Sequence, residues 1–249
     1  MVVIRREGGS PDVVLLDVEG TGDKSAKHDM RLAVVAAMLS SVLVLNTKGA
    51  PGREDMLGRL GVLVKAAKAV AEGSKHDGSA PRLGDALVLL ARDYELDHSP
   101  SQVRDTVFGV EDEDAGDEDD VADAHRRNRA REQLATAFGS VSVQLLPPPT
   151  GVLVHDGSGF DDALQTAVLP SLLEHTARPT LSPGRGVPMT AASLGDAASV
   201  LCDAVSSEAF RELVPSSVAE AMDELAVGRC EAQVREYVAA AIGVVWRWV

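Results

Sequence analysis

Ala86-Leu87-Val88-Leu89-Leu90-Ala91 is an unbroken apolar run that ends on Arg92-Asp93, and its reading decides the fold. A strand with one wet face alternates apolar and polar residues. A run without alternation fits a strand covered on both faces, as in a parallel sheet flanked by helices. Upstream, Val42-Leu43-Val44-Leu45 is a second such run, ending at Asn46. Downstream, Val141-Ser142-Val143-Gln144-Leu145-Leu146 is a third strand, with Ser142 and Gln144 between its apolar residues, and Pro147-Pro148-Pro149 stops it by removing ladder donors.

Helical spacing fills the gaps between these strands. Ala33, Val34, Ala37 and Met38 form one stripe, and Leu57, Leu60, Val64, Ala67 and Ala71 another. A further helix is expected from about Ala122 to Phe138. At the N-terminus, Val2-Val3-Ile4, the turn Gly8-Gly9-Ser10-Pro11 and Val13-Val14-Leu15-Leu16 read as a hairpin. Strand and helix alternate, so the predicted class is α/β with a mainly parallel sheet and helices on both faces. Beyond Thr150 the strand signal ends. Phe160, Leu164, Val168 and Leu172 keep helical spacing, as do Leu194, Ala197, Leu201 and Ala204. The expected division is an α/β domain over 1–157 and a helical unit over 158–249.

Composition narrows the function classes. With a net charge of −14, nothing basic offsets the repulsion of a phosphate backbone, which argues against non-specific nucleic-acid binding. Eight of the acids stand at Glu111 to Asp114 and Asp117 to Asp120. That run reads as a solvated, disordered loop held open by self-repulsion, since it lacks the ligand spacing and late glutamate of a calcium loop. Arg126, Arg127, Arg129 and Arg131 follow it and could balance it. No apolar stretch is long enough for a membrane span; Leu32 to Leu45 is broken by Ser40 and Ser41. Only Cys202 and Cys230 occur, without a framework of paired spacings, and a cytoplasmic, reduced protein is expected. The six histidines show no ligand spacing and read as surface or satisfied groups.

In open α/β sheets ligands bind outside the carboxyl ends of the strands. Asp17-Val18-Glu19-Gly20 follows the first long strand. An aspartate there can hold Mg²⁺ through a water, and a glycine lets a backbone N–H approach a terminal phosphate. Capping a turn is the other reading of Asp17. Arg92-Asp93 follows the unbroken run. A carboxylate there can accept both donors of the guanine edge, N1–H and N2–H₂, which adenine does not present. Arg92 could stack on or brace the base; an ordinary surface ion pair is the alternative. Leu146-Pro147 ends the last strand, where a loop normally covers a base.

Taken in order, these strand ends resemble the guanylate-binding protein and atlastin group of dynamin-related GTPases. Val14-Leu15-Leu16-Asp17-Val18-Glu19-Gly20-Thr21-Gly22-Asp23 is similar to the family's Asp-x-Glu-Gly switch segment. Arg92-Asp93 resembles its guanine-reading pair, and Leu145-Leu146-Pro147 its base-capping loop. Thr180-Leu181-Ser182 with Gly184 and Gly186, and later Glu231-Ala232-Gln233-Val234, are similar to the helical part that follows. The resemblance implies a P-loop-type GTPase sheet, GTP as ligand with Mg²⁺ as cofactor, and hydrolysis of GTP. Asp17 would act through the metal, Gly20 at the γ-phosphate and Asp93 with Arg92 at the base, with Leu146 and Pro147 beside it. It also implies a homodimer through the GTPase domain. The chain departs from the family in one respect. No Gly-x-x-x-x-Gly-Lys-Ser loop is present, and Gly20-Thr21-Gly22-Asp23-Lys24-Ser25 only imitates its end, with Asp23 where glycine is required. The chain is therefore expected to start inside the domain, to hold GTP weakly and to be inactive alone. A catalytically inactive GTPase-like interaction or dimerisation module is the rival expectation.

Overall fold

The structure is a computed structural model, and it describes residues 2–4, 12–18, 26–49, 51–58, 60–68, 83–94, 98–113, 118–148, 158–176, 180 and 188–206. In the C-terminal stretch it describes 221, 224–225, 227–228 and 230–235. The chain divides into two compact units, Met1–Thr180 and Leu181–Val249.

The first unit is built on three parallel strands, β3 (Val42–Lys48), β4 (Gly84–Arg92) and β5 (Phe138–Leu146), in spatial order β3-β4-β5. The unbroken apolar run lies in the central strand, as its composition requires. Ala86, Leu87, Val88, Leu89 and Ala91 are each at most 1% exposed. Burying a Leu or Val side chain in this way contributes about 1.5–3 kcal/mol, which fixes β4 in the middle. Pairing runs in register from Val42↔Ala86 to Lys48↔Arg92 on one side, and from Gly84↔Phe138 to Arg92↔Leu146 on the other. The carboxyl ends of all three strands therefore finish level. β3 and β5 are each longer than their apolar cores predict.

Helices pack around this sheet. In α1 (Ala26–Leu39) the expected stripe of Ala33, Val34, Ala37 and Met38 is buried. In the next helix, α2 over 61–68, Leu63, Ala66 and Ala67 are buried, as is Leu60 just before it, while Leu57 is exposed. The stripe is thus shifted from the expected one, and Ala71 lies outside the described residues. α3 (Pro100–Phe108) was not foreseen. Ser99 Oγ accepts from the Gln102 N–H while Gln102 Oε1 accepts from the Ser99 N–H, and Pro100 opens the first turn. That capping box, with Val103 and Val107 buried, is what starts and seats the helix.

α4 (Glu118–Ala137) begins one turn before the sequence suggests, because Glu118, Asp119 and Asp120 place negative charge at its positive end. It passes straight into β5, and the Ala137 carbonyl accepts from the Leu83 N–H at 2.7 Å. The proposed disordered acidic loop needs correction at its start. Glu111 and Glu113 are ordered by hydrogen bonds from Arg127, Arg131 and Asn128. Residues 114–117 lie outside the described residues.

Val2–Ile4 (β1) and Val13–Leu15 (β2) pair antiparallel as the expected hairpin, from Val2↔Leu15 to Ile4↔Val13. They form their own two-stranded sheet rather than extending the parallel one. Val14, Leu15 and Leu16 are exposed, so the strand before Asp17 is not the buried strand that its composition suggests.

After β5, α5 (Ser158–Ala163), a π-helical turn (Leu164–Val168) and α6 (Leu169–His175) return to the sheet. Gln144 Nε2 donates to Ser171 Oγ at 2.8 Å, which ties α6 to β5. The segment expected to be helical from 158 onward is therefore split between the two units. In the second unit, Thr190 caps α7 (Ala191–Ser206) through reciprocal bonds with Ser193, and Ala197 and Leu201 are buried.

No helix among the described residues is long and apolar enough to cross a membrane.

Candidate functional site at the carboxyl end of the sheet

Parallel strands that finish level bring their last residues together, and here those residues are Lys48, Arg92 and Leu146. Beyond them the ladder continues through two further bonds. The Gly49 N–H donates to the Arg92 carbonyl at 2.8 Å, and the Tyr94 N–H donates to the Leu146 carbonyl at 3.1 Å. Gly49 has φ +77°, a turn conformation that glycine adopts without strain.

Asp93 stands between these two anchor points with φ +56°, the only non-glycine with positive φ among the described residues. A side chain in this left-handed region costs about 1–3 kcal/mol, toward the low end for aspartate, and persists only where the surroundings enforce it. The flanking bonds to strands β3 and β5 supply that enforcement. Tyr94 strengthens the hold from inside. Its ring is buried, burial pushes its phenol pKa up, and its hydroxyl is 3.0 Å from His98 Nδ1.

Lys48 Nζ and Arg92 Nη1 both lie 3.9 Å from Asp93 Oδ2. These are charge contacts beyond hydrogen-bond length. Among the described residues the Asp93 carboxylate accepts no hydrogen bond, and both cations approach it most closely at Oδ2. The group is about a quarter exposed, at 28%. A partly buried carboxylate with both acceptor positions open is suited to a ligand that brings paired N–H donors. Beside it, Leu146 is buried and Pro147 half-buried. Thr47, one residue before Lys48, has a buried Oγ1 without a hydrogen-bond partner among the described residues. An unmade bond of that kind costs about 1–3 kcal/mol.

Of the residues singled out from sequence, Arg92, Asp93, Leu146 and Pro147 are brought together at this sheet end. Asp17 is exposed and follows β2 in the separate hairpin. Gly20 lies outside the described residues. A single exposed carboxylate is compatible with holding Mg²⁺ through water, a mode in which substrate phosphates supply further ligands. Among the described residues no group of three or more His, Cys, Asp or Glu side chains is placed to hold a metal by itself.

Sequence reasoning missed Lys48, which joins the site only through the Lys48↔Arg92 register. It expected Arg126, Arg127, Arg129 and Arg131 to balance the acidic run, and at the α3–α4 junction Arg127 and Arg131 do so at Glu111. There Glu111 accepts from Arg127 Nε at 2.9 Å, Arg127 Nη2 at 2.6 Å and Arg131 Nη2 at 2.5 Å, with Arg53 at 4.0 Å. The Arg127 bonds first, then Arg131, hold the Glu111 carboxyl down at about 2. Arg131 Nε also donates to the Val107 carbonyl, so the cluster locks α3, the acidic segment and α4 together.

Compared with known proteins, the chain matches no protein-family profile and no curated sequence.

Proposed function

We propose that this chain carries the guanine-reading part of a nucleotide site, in a GTPase domain of the guanylate-binding protein and atlastin type. The observation that supports it is Asp93. It sits at the carboxyl end of the central parallel strand in a strained backbone conformation, and its acceptors are open. Strain of this kind clusters at functional positions, and ligand sites of parallel sheets lie at this end.

On this reading Asp93 accepts from N1–H and N2–H₂ of guanine. Arg92 braces the base, and Leu146 with Pro147 lies against its apolar face. Asp17 is the residue that would hold Mg²⁺ through a water in the GTP-bound state. Mg²⁺, when bound, neutralises developing charge on the phosphates. The activity of the whole site is GTP hydrolysis, and a second copy pairing through this domain is its partner.

Ligand-observed NMR at millimolar GMP, AMP and XMP tests the base assignment on the chain itself. Wild type is expected to prefer GMP. Asp93→Asn opposes one guanine N–H with an amide donor, which costs about 1–3 kcal/mol, while XMP, with an acceptor at position 2, gains relative to GMP. An unchanged order of GMP, XMP and AMP in Asp93→Asn removes Asp93 as the base reader.

A further inference from the structure

We infer that Lys48 is a specificity-determining residue that donates to the oxygen at position 6 of a guanine base held by Asp93. The inference rests on the guanine reading of Asp93 and adds the orientation of the base.

The geometry that carries it is asymmetric. The closest approach of both Lys48 Nζ and Arg92 Nη1 is to the same carboxylate oxygen, Oδ2, at 3.9 Å each. Guanine's edge is asymmetric in the matching sense. Its O6 acceptor adjoins N1–H, and its N2–H₂ donor lies on the far side. A base that gives N1–H to Oδ2 and N2–H₂ to Oδ1 therefore turns O6 toward the cations. The reverse placement would set the N2 donors against them.

Arg92 and Lys48 are not equivalent in that role. Arg92 continues strand β4 directly into Asp93, and its planar guanidinium suits stacking or bracing. Lys48 comes from the neighbouring strand, opposite Arg92 in register, and is the more exposed of the two. Its flexible stem and three rotatable donors can follow a ligand atom. At 3.9 Å its contact with Asp93 is a charge contact and not a hydrogen bond. Adenine carries an amino donor at position 6, so the same ammonium group opposes it. Lys48 thus adds to the discrimination against adenine that Asp93 begins.

6-Thio-GMP isolates this contact, because sulfur replaces O6 as a much weaker acceptor and the N1–H and N2–H₂ edge is kept. Dissociation constants for GMP and 6-thio-GMP are measured by ligand-observed NMR on wild type, Lys48→Met, Lys48→Arg and Asp93→Asn. Wild type is expected to bind GMP roughly five- to tenfold more tightly than 6-thio-GMP. In Lys48→Met that ratio falls toward one, and Lys48→Arg restores most of it.

Two results overturn the inference. One is a wild-type ratio near one. The other is a Lys48→Met variant that binds both ligands less well but keeps the wild-type ratio, which would make Lys48 only a holder of the carboxylate. Asp93→Asn separates this from failure of the underlying reading. If that variant binds GMP as wild type does, Asp93 is not the base reader and both fall together. If it loses GMP while Lys48→Met keeps the full ratio, only the role of Lys48 falls.

Discussion

Two carboxylates in this chain sit among cations and are held in opposite ways. Glu111 accepts bonds of 2.5–3.1 Å from Arg131 and Arg127, has a side chain only 10% exposed, and links α3 to α4. Asp93 has Lys48 and Arg92 at 3.9 Å, accepts no hydrogen bond among the described residues, and lies on a left-handed backbone. The charges are alike, but the geometry is not. At Glu111 the acceptor capacity is used by the protein. At Asp93 it is left open at the end of a parallel sheet, and the backbone strain is maintained by ladder bonds on both sides. A satisfied ion cluster is what a fold needs to close a buried surface. An unsatisfied one, rigidly presented, is what a binding site needs.

The largest test of this contrast removes the two carboxylates in turn. Glu111→Ala removes the hydrogen-bonded counter-charge of Arg131, 5% exposed, and Arg127, 15% exposed. Breaking a buried pair from one side costs about 3–5 kcal/mol. The urea midpoint should fall accordingly, and Glu111→Ala with Arg131→Met should recover part of the loss because the stranded charge is gone. A loss below about 1 kcal/mol for Glu111→Ala would mean that the cluster is no more structural than a surface pair.

The same cluster predicts a pH dependence. Glu111 has its carboxyl lowered from 4.5 to about 2, so its contribution is complete above about pH 4.5 and fades as pH falls toward 2. The size is at most about 3 kcal/mol. Stability measured by urea at steps between pH 6 and 2 should drop in that window for wild type and drop less for Glu111→Gln. Parallel acid limbs for the two proteins would assign the acid loss to other groups.

How much of this contrast could be read beforehand follows from what each feature depends on. The β4 strand was legible because six consecutive apolar residues leave few alternatives, and the Arg92-Asp93 position at its end followed from that. The α1 stripe was legible for the same reason of periodicity. The hairpin strand Val13–Leu15 was recognised, but its burial was not. Apolar composition states what a strand could bury and not what covers it. The arginines after the acidic run were recognised as able to balance it, but that Glu111 is the acid held, by partners 16 and 20 residues further on, is tertiary and invisible to local pattern. The α3 helix had a readable cap at Ser99-Pro100-Ser101-Gln102, but it is short and its apolar face has only Val103 and Val107 buried. Lys48 needed the strand register, which a sequence does not carry.

The smallest expected effect lies at Asp93 and concerns stability rather than binding. If the left-handed backbone is imposed by the Gly49–Arg92 and Tyr94–Leu146 bonds, glycine should fit it without strain. Asp93→Gly relieves a strain of about 1 kcal/mol, and against this stand a greater unfolded-state entropy of about 0.5–1 kcal/mol and the loss of two weak charge contacts. The net change should be near zero. Alanine has the same missing carboxylate but keeps a Cβ in the unfavourable region. Asp93→Ala should therefore be about 1 kcal/mol less stable than Asp93→Gly, although alanine is normally the more stabilising of the two. The comparison of the two variants cancels the lost charge contacts and leaves the backbone term alone. Equal midpoints, or alanine above glycine, would mean that the backbone at 93 relaxes out of the left-handed region. The open carboxylate would then be an ordinary mobile surface group rather than a presented one.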